Sequence, residues 1–222
     1  MFKISTSQDA IKDASGMSFI GKSGVYDVTI NFASINVTKN NAEQFVFNVD
    51  YNGNQQTFYG PYYKKSDGTY NDAAVRLYTQ LGVIAGLEDG DQFTISQETH
   101  KVGKDQKDQD FDVVEELSGL PVKLQVTAEY SLYNGEIQER FNIRSFFRED
   151  GATADEIVND GEIGKRLAVV LEKYADNVTY RDDLTEEDVA NWKAQRSSGK
   201  SAPAPAAKTT TKPKTGTLFG KK

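Results

Sequence analysis

Alternating apolar and polar positions mark the first strand of the chain. In "GVYDVTINFASINV" (24–37), Tyr26, Val28, Ile30 and Phe32 recur at every second residue, the period of a strand with one buried face. Past Phe32 the phase slips and Ile35 and Val37 take over, as a bulge or sharp bend in a long curved strand requires. "QFVFNVDYN" repeats the alternation through Phe45, Phe47, Val49 and Tyr51, and "NGN" at 52–54 signals a hairpin turn. "QQTFYGPYY" is the returning strand. Gly60-Pro61 predicts its end or a break in it, because proline has no N–H to give to a ladder.

The period then changes. In "NDAAVRLYTQLGVIAGLEDGD", Asn71 or Asp72 can cap a helix whose shared face is Val75, Tyr78, Leu81 and Ile84. "DQFTISQETHKV" returns to strand through Phe93 and Ile95, and an acidic segment follows. A hairpin comes next, with arms Val122–Tyr133 and Glu136–Phe146 joined at Asn134-Gly135, a type I′ signal. A bent first strand, successive hairpins and one helix after the third strand predict a mainly β fold over residues 1–148. The architecture this predicts is an OB-like (oligonucleotide-binding) five-stranded Greek-key barrel; a sandwich would want more strands and no central helix. Helical spacing through Leu167, Val170, Leu171 and Tyr174, and a capping-box variant at Thr185 and Asp188, predict a helical extension over 149–196. Residues 197–222, rich in Pro, Ala, Thr and Lys, predict a flexible tail.

Charge divides the chain unevenly. The net charge is −7, yet from Ser197 onward there are six lysines and no acid, so the first 196 residues carry −13. Residues 105–116 hold six acids against one lysine, and 149–196 hold thirteen acids against six bases. What remains is nearly neutral, which leaves the barrel as the place where bases can act locally. No run approaches the roughly 20 apolar residues that span a bilayer, and the N-terminus lacks the basic-then-apolar order of a secretory signal. A cytoplasmic protein without membrane contact is the expectation.

Catalysis is poorly supplied. There is no cysteine, hence no thiolate nucleophile or thiolate zinc site, and His100 is the only histidine, placed at a polar strand end where solvation explains it. "DQDFDVVEELSG" imitates a calcium loop at Asp108, Asp110 and Asp112, but Val113 stands where glycine is required and Gly119 where the last glutamate belongs. "GEIGKR" at 161–166 echoes a phosphate loop, with Asn159 in place of its first glycine and Arg166 in place of the magnesium-binding hydroxyl. The expectation is no catalytic residue, no metal and no cofactor.

Aromatic residues next to bases are the remaining signal. "FYGPYYKK" (58–65) offers Tyr59, Tyr62 and Tyr63 for stacking on bases, with Lys64 and Lys65 beside them for phosphates. In "RFNIRSFFR", Arg140, Arg144 and Arg148 fall at even separations on one side of a strand, and Phe146 shares that side if the strand runs on unbroken. The competing reading makes these rings half-buried packing residues and the charges a solvated surface.

The order "SGVYDVTINFASINVTKNN…QFVFNVDYNGNQQTFYGPYYKKSDGTYN…LYTQLGVIAGLEDGD" resembles small phage-encoded single-stranded-DNA-binding proteins over about residues 20–148. The resemblance rests on strand order, helix position and the aromatic third strand. It implies an OB fold and non-enzymatic, sequence-tolerant binding of single-stranded DNA beside replication and recombination enzymes in the host cytoplasm. Many such proteins end in an acidic tail with a terminal aromatic, which competes for the DNA groove and recruits partners. This chain ends in "KTTTKPKTGTLFGKK", so residues 105–116 are left to play the acidic part internally, and Leu218-Phe219 resembles a short docking peptide for replication or recombination proteins. Two alternatives stay open: a phage structural or interaction component whose aromatic face makes a homo-oligomer, and a metal-dependent nuclease using the acid clusters.

Overall fold

The computed structural model describes residues 19–103 and 105–197. The predicted tail, with Leu218 and Phe219, lies outside the described residues. The chain divides into two compact units: residues 19–129 with 139–179, and residues 130–138 with 180–197.

The fold is mainly β, an eight-stranded antiparallel sheet with a few helices. β1 (Gly24–Val37) is the hub. It pairs with β2 (Glu43–Tyr51) from Thr29 to Val37 and with β6 (Leu120–Tyr133) from Gly24 to Ile30, and it touches β5 (Lys107–Val114) at Ser34↔Val113. One strand can serve so many neighbours because its ladder is irregular between Ile30 and Phe32, where the expected bulge sits. β3 (Asn54–Lys64) pairs with β2, β4 (Ile95–Val102) with β5, and β7 (Glu136–Arg148) and β8 (Val178–Tyr180) with β6. Asn52 and Gly53, and Asn134 and Gly135, all take positive φ, which makes both turns tight hairpins of the kind Asn-Gly favours.

Two expectations need correction. The acidic segment is not a connection: Lys107–Val114 is a strand, paired with β4 over eight residues. Its first residues are polar on both faces, so only Phe111, Val113 and Val114 mark it in the sequence. Neither does the strand count stop at five. The sheet is open, and β3 and β7, which would have to meet for closure, pair only with β2 and β6 respectively.

The core lies beneath β1–β3 and is capped by α1 (Asp72–Ile84). Asn71 Oδ1 accepts from Ala73 N at 3.2 Å and starts the helix. Leu77, Tyr78, Leu81 and Ile84 then bury against Phe45, Phe47 and Phe58. Val75, expected on this face, is exposed at its edge. α2 (Ala154–Val158) begins in a full capping box between Thr153 and Glu156, and α3 (Lys165–Lys173) follows Gly164 at φ 79°. The second unit is built on the β6–β7 hairpin tip and α4 (Glu186–Ser197): Tyr130 stacks on Tyr180 at 5.9 Å and meets Trp192 edge-on at 6.3 Å.

Candidate nucleic-acid interface

Strand β3 runs through Gly60-Pro61 instead of ending there. Opposite Val46 stands Tyr59 and opposite Gln44 stands Tyr62. One residue separates Gln44 from Val46, while two separate Tyr59 from Tyr62, which is the two-against-one count of a bulge. β3 pairs on one side only, so the missing N–H of Pro61 leaves no carbonyl of a further strand unserved. Gly60 is obligatory: a Cβ there would come within 2.3 Å of the Tyr78 hydroxyl. That hydroxyl donates to Pro61 O at 2.6 Å, and burial pushes its pKa well up, so it stays a donor. The bulge is therefore keyed to α1.

Its consequence is positional. Facing residues in an antiparallel ladder share a face, and Val46 and Gln44 are two apart. Tyr59 and Tyr62 consequently stand on one face, roughly 7 Å apart along β2. Both are wet, at 61% and 42% exposure. Across the sheet they belong to two rows, Ser34–Val46–Tyr59 and Asn36–Gln44–Tyr62.

Beside these rows lies a groove of about 430 Å³, lined by Ser34, Asn36, Val46 and Tyr59 from one side and by Gln97, Gln109 and Phe111 from the β4–β5 hairpin. The hairpin is anchored there by rings. Phe32 stacks on His100 at 4.0 Å and meets Phe111 at 5.0 Å, and His100 Nε2 lies 2.8 Å from Glu98 Oε2. His100 is thus a half-buried packing residue of this hairpin and not the solvated strand end expected. Asp110 and Asp112 also line the groove, which places the acidic segment directly beside Tyr59.

The other residues proposed from "FYGPYYKK" separate. Tyr63 turns inward, its ring edge-on to Phe45 at 5.6 Å and to Tyr78 at 5.9 Å, and its hydroxyl donates to Glu43 Oε2 at 2.6 Å. Burial, then the Glu43 hydrogen bond, holds the phenol well above its ordinary pKa. It is not free to stack. Lys64 is committed to Glu43 Oε1 at 2.6 Å, and the hydrogen bonds from Lys64 and Tyr63 hold the Glu43 carboxyl below its usual range. Lys65 is exposed and has no ion pair among the described residues. Lys39, in the β1–β2 turn, is exposed at the same end of the ladder, where Val37, Glu43 and Lys64 face one another. Hydrophobic patterning gave no reason to single out Lys39, Asn36 or Phe111; only their register does.

On β7 two of the three arginines stand exposed, the third is paired, and the ring is buried. Arg140 and Arg144 are exposed, and Arg148 is tied to Asp150 at 2.7 Å. Phe146 is 4% exposed and packs on Phe47 at 5.3 Å. Ile143 and Phe146, three apart, both enter the main core. Strict alternation thus fails across Arg144-Ser145, and Phe146 turns into the core, its buried ring touching only the wall of the cavity that Arg144 also lines. Nor do the two basic-aromatic clusters share a cavity: the groove at Tyr59 and the cavities at Arg144 have no lining residue in common.

A larger hollow of about 830 Å³ opens on the other side of β1–β2, between α1 and the start of β4. Phe45, Tyr63, Tyr70, Tyr78 and Phe93 line it, with Asp72, Glu88 and Asp91 among its polar residues. Among the described residues no cluster of three or more acids and histidines is placed to hold a metal ion, and no helix is long and apolar enough to cross a membrane. No protein-family model matches the chain, and no curated protein matches it.

Proposed function

We propose that the protein binds single-stranded DNA without chemistry, on the outward face of β1–β3, as an OB-like module acting in phage replication or recombination. The observation that carries this reading is the Gly60-Pro61 bulge, which sets Tyr59 and Tyr62 on one solvent face about 7 Å apart. Two rings so spaced suit successive bases of an extended strand. Stacking of this kind contributes about 1–3 kcal/mol per base and tolerates any sequence. The amide of Asn36 in the same row, and those of Gln97 and Gln109 across the groove, can meet base edges without preferring one base. Lys39 and Lys65 are the nearest uncommitted cations in the ladder; Lys64 and Arg148 are spoken for by Glu43 and Asp150.

The bent hub strand, the helix after the third strand and the β6–β7 hairpin support the OB-like assignment, with the β4–β5 hairpin inserted after the helix. Asp110 and Asp112 beside Tyr59 work against binding, and they set a requirement: a strand must reach the tyrosines with its phosphates directed away from β5.

Titration of labelled single-stranded and duplex oligonucleotides tests the reading. Preference for the single strand, falling as salt rises, is the expected result. Equal affinity, preference for duplex, or none sinks it. One observation favours a second reading. The aromatic hollow by α1, with exposed Tyr70 and Ile95 at its mouth, suits a protein contact. A large stable oligomer that ignores oligonucleotides would select that reading.

A further inference from the structure

The strongest uncommitted feature lies away from β3. A cavity of about 370 Å³ is walled by β6, β7, α3 and the segment leading into β8, with Gln125, Thr127, Arg144, Arg166, Tyr174 and Thr179 in its lining. None of its lining residues is acidic. The same two arginines also line an adjoining cavity of about 810 Å³ in which Asp155, Glu156 and Glu162 stand, so the acid-free lining belongs to this smaller hollow alone. Neither arginine has an ion-pair partner among the described residues.

Both arginines are exposed and line this one hollow. Glu156, 9% exposed, accepts Arg166 N at 2.9 Å and Thr153 N at 2.8 Å, which anchors the start of α3. Burial raises the pKa of that carboxyl, and the backbone donors of Arg166 and Thr153 more than offset this, leaving it below the ordinary value. Its charge is thereby spent on backbone and not on the Arg166 guanidinium. Opposite, Ser145 Oγ donates to Gln125 Oε1 at 2.5 Å, and Ser23 Oγ donates to Asn177 O at 2.6 Å while accepting from Ala128 N. Two guanidinium groups with hydroxyl and amide neighbours match the acceptor oxygens of a phosphate, and Tyr174, partly exposed, offers a ring face. The volume admits about one nucleotide.

We propose that this cavity is a phosphodiester site: Arg144 and Arg166 take a backbone phosphate of single-stranded DNA, and Tyr174 takes the adjoining sugar or base. The site rests on the single-strand reading above and extends it. It makes α3, outside the span of the family resemblance, part of the binding surface, and it gives Arg144 a partner that β7 alone does not supply.

The test uses the full chain and a fluorescein-labelled thirty-nucleotide oligo(dT), with affinity measured by anisotropy across a salt series. Each phosphate neutralised on a single strand adds about 0.7 to the slope of log K against log salt. R144Q/R166Q should therefore lower the slope by about 0.7, the loss of one phosphate, and weaken binding about tenfold at low salt, while R144K/R166K keeps the slope. If the wild type binds and R144Q/R166Q keeps both affinity and slope, the site is overturned and the β3 face stands. A slope lost equally by the lysine pair assigns the arginines to packing and likewise overturns it. Absence of wild-type binding removes both proposals together.

Discussion

At the residue scale, Gly60 and Tyr78 decide more than the tyrosines they serve. Gly60→Ala would drive a methyl into the Tyr78 hydroxyl, 2.3 Å from the ideal Cβ position. Overpacking of this kind costs about 1–3 kcal/mol, readable as a lower urea midpoint. The same variant should weaken the proposed DNA binding, because relief requires the bulge to move. Glu43 carries the pH dependence of this corner. Its folded pKa is depressed, by Lys64 first and then Tyr63. Its contribution is hence complete above the ordinary carboxylate pKa and fades as pH falls through the lower folded value. Glu156 follows the same sign. Thermal melts should show a loss of stability below about pH 4.5 that is smaller in Glu43→Gln and Glu156→Gln, the latter starting about 1–3 kcal/mol less stable.

At the element scale, strands announce themselves only when they bury a face. β1 and β2 could be read outright, since Val28, Ile30, Phe45, Phe47 and Val49 alternate into the core. β5 could not, because Asp108, Asp110 and Asp112 alternate with Gln109 and leave Phe111 as the only large ring. Within β3, Phe58 in and Tyr59 out followed from the two-residue period. The exchange of Tyr62 for Tyr63 at the surface did not, because the bulge that causes it depends on contacts from α1. In β7 the same limit hid Phe146, whose burial depends on Phe47 from another strand. The β4–β5 hairpin is held over the outer face by Phe32, His100 and Phe111. Phe111→Ala should loosen it, which faster amide exchange over 95–114 would register, with little change in the α1 core.

At the scale of the whole molecule, the proposed binding of a polyanion by a body of −13 would demand local solutions. The ladder end with Lys39 and Lys65 is one, the arginine cavity is another, and the six lysines after Ser197 are a third. Removing residues 198–222 takes the net charge from −7 to −13, and should reduce affinity for oligo(dT) at low salt and much less at high salt. Charge distribution and the aromatic cluster were legible in composition; which cations are free was not, since Glu43 and Asp150 claim theirs through folding. The most direct measurement compares oligo(dT) affinity of the wild type with that of Tyr59→Ala/Tyr62→Ala at moderate salt. Two stacked bases lost at about 1 kcal/mol each predict a fall of about thirtyfold or more, with Tyr63→Phe nearly unaffected. An unchanged affinity in the double variant would contradict the assignment of the β3 face.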